Sequence, residues 1–217
     1  FICFLCKNNN MKVVVIANNE LKIELLRQGL RQDESIEWLS ELKVIAGTDC
    51  YIDLLFEYLP ERISVLKELS SALIIVNEVC HTLNDLPENF VRINGWPGFI
   101  AGEVIEAAGS DAVLKEKAAT VFSYFGKKIE WVADAPGLIG ARVVSMIINE
   151  AYLALEEGVS TKEEIDEAMK LGTNYPYGPF EWGKKIGLKR VIELLKSLPA
   201  INEGFQPSSL LINESKK

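Results

Sequence analysis

Short runs of β-branched and other apolar residues alternate with helical patterns through the first half of the chain. This alternation most restricts the folds open to it. Residues 12–17 read KVVVIA, an unbroken apolar run of the kind a parallel strand shows when both its faces are covered. An amphipathic stretch at 21–30 follows. Residues 49–56 and 73–76 repeat the strand pattern, with a helical stretch at 61–69 between them. Strands separated by helices in this way predict a parallel sheet with crossover helices, an α/β layer. Residues 90–93 and 129–132 are further strand candidates, with a helix at 111–125 between them. Residues 134–137 then read as a hinge into an all-helical part. There a Pro136-Gly137 entry leads into a long helix whose apolar residues Val144, Ile147, Ile148, Ala151 and Leu155 share one face. Gly158 stops it, and Ser160 with Glu163 makes a capping-box start for a second helix that ends near Leu171. The expected organisation is an upstream extension at 1–10, a sheet domain at 11–134, a helical domain at 135–200 and a frayed polar tail at 201–217.

The 217 residues are 48% hydrophobic and 25% charged, an ordinary balance for a globular protein with a sizeable core. A net charge of -8 argues against a general nucleic-acid or anionic-membrane surface, because both partners would be repelled over most of the protein. No apolar run approaches the length of a membrane span, and a cytoplasmic setting is expected. Lys184, Lys185, Lys189 and Arg190 form the one basic cluster, read first as a solvated helix face. Cys3 and Cys6 make a lone CxxC without a second pair or a nearby histidine, and Cys50 and Cys80 sit in apolar segments. Neither a disulfide framework nor a metal site is expected.

The wording of the helical part is more specific than its architecture. The Pro136-Gly137 entry with Arg142, NEA at 149–151, EEGV at 156–159, EEID and AMKLG after it, and the YP and GPFE words at 175–181 follow one another in order. Together they resemble the C-terminal domain of the 3-hydroxyacyl-CoA dehydrogenase family. The resemblance implies a dinucleotide-binding α/β domain ahead of a helical domain, NAD as cofactor, a 3-hydroxyacyl-CoA ligand and a homodimer through the helix at 138–155. The word at 48–69, TDCYIDLLFEYLPERISVLKEL, resembles a family strand-helix word. By that resemblance Glu57 and Arg62 are cofactor contacts, with arginine where the family carries lysine. Asn77 matches the start of the family's NTSS word, but Glu78, Val79 and Cys80 follow it.

Removing a proton from a 3-hydroxyl near neutral pH suits a histidine oriented by a carboxylate. The family places that histidine in a GxHFFNPxP word, with the glutamate about a dozen residues later. Here residues 92–105 read RINGWPGFIAGEVI, which aligns with the family if a deletion removes the histidine, and Glu103 then takes the glutamate's place. Ala141 stands where the family sets an asparagine before the arginine. The single histidine, His81, lies in the segment EVCHTLNDLP and is the one candidate to replace the missing base. Loss of a general base costs about 10² to 10⁴ in rate. After the first strand the sequence continues Ala17, Asn18, Asn19, Glu20, with no glycine and a negative charge where a pyrophosphate would sit. The second strand's ribose-binding acid has no assignable counterpart. Two readings follow: a divergent NAD-dependent dehydrogenase with Glu103 and His81 as catalytic groups, or a non-catalytic acyl-CoA-binding or scaffold protein.

Overall fold

The computed structural model describes residues 11–31, 35–198 and 205–216. Cys3 and Cys6 lie outside them. Among the described residues seven strands form one sheet: β1 (Val13–Ile16), β2 (Ile36–Leu39), β3 (Cys50–Asp53), β4 (Leu73–Asn77), β5 (Phe90–Ile93), β6 (Val104–Ala108) and β7 (Lys128–Trp131). Their order is β2-β1-β3-β4-β5-β6-β7. Neighbours run parallel except β5 and β6, which pair antiparallel through Arg92 with Ala108 and Ile93 with Ala107.

The unbroken apolar runs have the expected cause. Val13, Val15, Ile52 and Ile75 point to one face, where Leu21 and Leu25 of α1 (Asn19–Leu25) and Val121 and Phe122 of α3 (Ala112–Tyr124) cover them. Val14, Ile16, Ile74 and Val76 point to the other, against Leu66 of α2 (Pro60–Glu68). Every residue of β1, β3, β4 and β5 is therefore buried, whereas β7 at the sheet edge alternates exposed and half-buried positions. Two strands went unread in the sequence. β2 is four residues long at an edge, and β6 ends in alanines, which carry little strand preference.

The helical part comprises α4 (Gly140–Glu156), α5 (Lys162–Thr173), α6 (Pro179–Ile186), α7 (Leu188–Ser197) and α8 (Ser209–Glu214). Ala141, Ser145, Ile148 and Tyr152 form the inward face of α4. Val144, Ile147 and Leu155 are only half-buried, so the helix is turned from the face expected. The capping box of α5 is Thr161 with Glu164, one residue beyond the expected Ser160 and Glu163, because the Thr161 hydroxyl accepts from the Glu164 amide. The expected frayed tail is corrected as well. Leu211 of α8 is fully buried against α4 and α7 residues, and the Asn149 side chain binds the backbone at Gln206 and Ser208. No helix among the described residues is long and apolar enough to cross a membrane.

Candidate functional site

A cavity of about 500 Å³ opens at the carboxyl ends of β3 and β4, the edge of an open α/β sheet where ligands enter. Glu57 comes from the loop after β3, Asn77 ends β4, His81 follows on the next loop, and Arg190 and Glu193 of α7 complete the lining. Three residues singled out in the sequence, Glu57, Asn77 and His81, thus meet in one place. Asn77 is partly occupied by structure: its amide donates to the Leu54 carbonyl at 3.2 Å and accepts from the Gly95 amide at 3.0 Å. These bonds pin the β3 and β5 ends on either side of β4.

The carboxylate beside His81 is Glu78. One of its oxygens lies 3.3 Å from His81 Nδ1, and the other accepts from the Cys80 and His81 amides at 2.6 and 3.0 Å. Tyr58 stacks on the imidazole, with ring centroids 3.7 Å apart and planes 12° from parallel. Glu78 went unassigned in the sequence although it stands three residues from His81, a local spacing that carried the signal.

Two expected site residues are elsewhere. Glu103 is exposed and pairs with Lys128 at 3.4 Å at the other edge of the sheet, so it does not join the cavity. The carboxylate that β6 directs toward the helical part is Glu106, which accepts from the Ile139 and Gly140 amides at the start of α4. Arg62 is held in a two-pronged pair with Asp53, at 2.7 Å through each nitrogen, and its guanidinium is committed there. Asp53 is fully buried, and burial raises its carboxyl above the usual range despite the opposing Arg62.

The turn after β1 does not fit a dinucleotide. α1 has seven residues, its N-terminus is capped by the Asn18 side chain accepting from Leu21, and Glu20 sits in its first turn. A phosphate at a helix N-terminus needs free amides and a close glycine backbone; here Asn18 takes the Leu21 amide, Glu20 adds a negative charge, and no glycine stands in the turn. The chain's own groups fill the space beside α1. Lys185 of α6 pairs with Glu20 at 3.1 Å and Glu24 at 2.8 Å, and Glu24 accepts from the Gly98 amide at 2.6 Å. The end of β2 does lead to a carboxylate, Glu41, an exposed group paired with Lys43 at 2.9 Å.

Gln28 and Lys127 grip the same loop further along, donating to the Ala101 and Gly102 carbonyls at 3.1 and 2.7 Å. Burial lowers the Lys127 ammonium from 10.5 to about 8, against the opposing pull of Glu24. Between those two pH values the unfolded chain holds a proton that the folded chain has released. Folding is therefore favoured by rising pH across that window. Urea denaturation at several pH values is expected to show wild-type stability rising relative to Lys127→Met from about pH 8 to 10.5, and a pH-independent difference would contradict this.

Residues 137–213 match the family model described as 3-hydroxyacyl-CoA dehydrogenase, C-terminal domain. The chain is 42% identical over 118 residues to 3-hydroxyadipyl-CoA dehydrogenase of Escherichia coli (strain K12), covering 52% of this chain and 25% of that protein. It is 34% identical over 136 residues to 3-hydroxybutyryl-CoA dehydrogenase of Bradyrhizobium diazoefficiens, covering 59% of this chain and 45% of that protein. The chain thus spans less than half the length of these curated relatives. In fold it is similar to the crystal structure of (S)-3-hydroxybutyryl-CoA dehydrogenase from Ralstonia eutropha, with a TM-score of 0.70 at 19% identity over 94% of this chain and 93% of that one. Residues 137–213 thus carry the C-terminal domain of the 3-hydroxyacyl-CoA dehydrogenase family, and the chain as a whole shares the fold of that solved dehydrogenase.

Proposed function

We propose that this chain is an acyl-CoA-binding member of the family that does not itself carry out NAD-dependent oxidation of 3-hydroxyacyl-CoA. The observation that carries this reading is the turn after β1, where Asn18 caps α1 and Lys185 ties Glu20 and Glu24 to α6. These contacts take the position a pyrophosphate would need. The acyl-thioester end fits the cavity bounded by Asn77, His81 and Arg190, with Lys189 exposed on α7 next to Arg190 for the CoA phosphates. The sheet layer at 11–134 forms the floor of the site, and the helical domain from 135, extended by α8, its wall.

Calorimetric titration is expected to show saturable binding of acetoacetyl-CoA and none of NADH, with no change in nicotinamide absorbance when both are present. Saturable NADH binding with turnover would overturn the non-redox reading.

The active form in this reading is a cytoplasmic homodimer through the outer face of α4, where Ile139 and Val143 are 54% and 47% exposed. Burying a valine contributes about 1.5 to 3 kcal/mol, so Val143→Glu is expected to raise the dimer dissociation constant by about a hundredfold. Sedimentation velocity would show it, and an unchanged dimer would place the contact on another face.

A further inference from the structure

We propose that His81 and Glu78 form a proton-accepting dyad that draws a proton from C2 of a 3-ketoacyl thioester held in the cavity, with no redox partner. The proposal rests on the thioester-binding reading above and adds an acid–base step to it.

The dyad is built rather than incidental. Two backbone amides fix one oxygen of Glu78, which leaves its other oxygen for the imidazole. The Glu78 side chain is only 8% exposed, so its charge is poorly hydrated. The ring is fixed in turn. Tyr58 stacks on it and is itself tied by its hydroxyl to the Asp85 carbonyl at 3.1 Å, while buried Arg92 holds the His81 carbonyl. His81 Nδ1 is buried without an aligned hydrogen bond, 3.3 Å from the carboxylate. A buried polar nitrogen left in this state is uncommon in a purely structural role. About a third of the His81 side chain is exposed and the residue lines the cavity, so in this proposal the base role falls to Nε2, the ring nitrogen that is not beside Glu78. A histidine with one nitrogen toward a carboxylate and the other toward a ligand space is the arrangement of an oriented general base.

The rest of the cavity suits the product of that step. Arg190 also lines the cavity, and in this proposal its guanidinium meets the developing enolate oxygen. The other titratable groups facing the space are Glu57 and Tyr58 from the β3 side, Cys80 beside the dyad and Glu193 on α7. Burial raises the Cys80 thiol well above its ordinary range, which keeps it protonated and removes it as a competing base. In the step itself the C2–H bond breaks and an Nε2–H bond forms. The electron pair moves onto the 3-carbonyl oxygen opposite Arg190, and the new positive charge on the ring lies beside Glu78. Reversal returns a proton to C2, and nothing is oxidised or reduced.

The test uses the full chain with acetoacetyl-CoA in metal-free buffer, reading binding by calorimetry and ionisation by the near-ultraviolet enolate absorbance across a pH series. The bound thioester is expected to ionise at least about one pH unit below the free thioester, a tenfold shift in the equilibrium. Glu78→Gln keeps an oxygen for the two loop amides but removes the charge. It and His81→Gln are expected to lose the shift, read on complexes that calorimetry shows to be saturated. Binding without a shift, or a shift that survives in both variants, overturns the dyad and leaves the thioester-binding reading standing. Failure of acetoacetyl-CoA to bind wild type overturns both.

Discussion

Arg92→Met is expected to lower the unfolding free energy by about 3 to 5 kcal/mol, the cost of breaking a buried charge network from one side. Arg92 is fully buried in β5. Its guanidinium donates to the His81 carbonyl, to Asp134 at 2.9 Å and to the Ala135 carbonyl at 2.8 Å. Asp134 also accepts from the Leu83 amide at 2.8 Å. One side chain thus joins the strand, the loop bearing His81 and the hinge into α4. Methionine matches the stem of arginine but takes one donor each from the His81 carbonyl, Asp134 and the Ala135 carbonyl, of which Asp134 keeps the Leu83 amide and Ala135 the Leu138 amide. A buried acceptor left without a donor costs about 1 to 3 kcal/mol. Asp134 is partly exposed and recovers some hydration, which keeps the effect within that range. Equilibrium denaturation of wild type and variant measures it. A loss below about 1 kcal/mol would mean that the three contacts do not persist in solution.

Trp182→Ala is the second large effect, expected at about 3 to 5 kcal/mol for truncating a buried aromatic. Trp182 on α6 is 6% exposed, stacks on Phe99 with centroids 5.0 Å apart and meets Tyr177 edge-on at 4.9 Å. It also covers Gly98, where an added Cβ would stand 2.6 Å from the indole and where φ is +90°. The indole therefore packs the helical domain onto the loop between β5 and β6. Its removal opens the seam beside Lys185 as well as the helical core. The same denaturation measurement checks the magnitude. Since whole-domain stabilities are about 5 to 15 kcal/mol, combining both substitutions is expected to leave little folded protein at 37 °C.

Four of the five strands legible in the sequence are buried on both faces, and the fifth, β7 at the sheet edge, is half exposed. In β1, β3, β4 and β5 burial on both faces favours apolar residues at nearly every position, the buried Asp53, Asn77 and Arg92 being the polar exceptions, and that preference is written directly into the residue order. β2 and β6 were not legible, because an edge position and a run ending in Ala107-Ala108 impose no such demand. The α5 cap was read one residue early because Ser160 and Thr161 offer equivalent hydroxyls. Only the backbone decides which of them faces the first free amide.

For the site, residue order alone established the family words from Pro136 to Leu188, the missing glycine turn after Ala17 and the single histidine. These depend on which residues are present and on local spacing, and local spacing survives folding. Tertiary structure alone decided that Arg62 belongs to Asp53, that Glu103 faces solvent beside Lys128, and that Lys185 reaches Glu20 across 165 positions. It also brought Arg190 and His81 to one cavity. A charge pairs with whichever opposite charge the packed chain brings within a few ångströms, and that proximity is set by how sheet and helices close on each other, which no short stretch of sequence encodes.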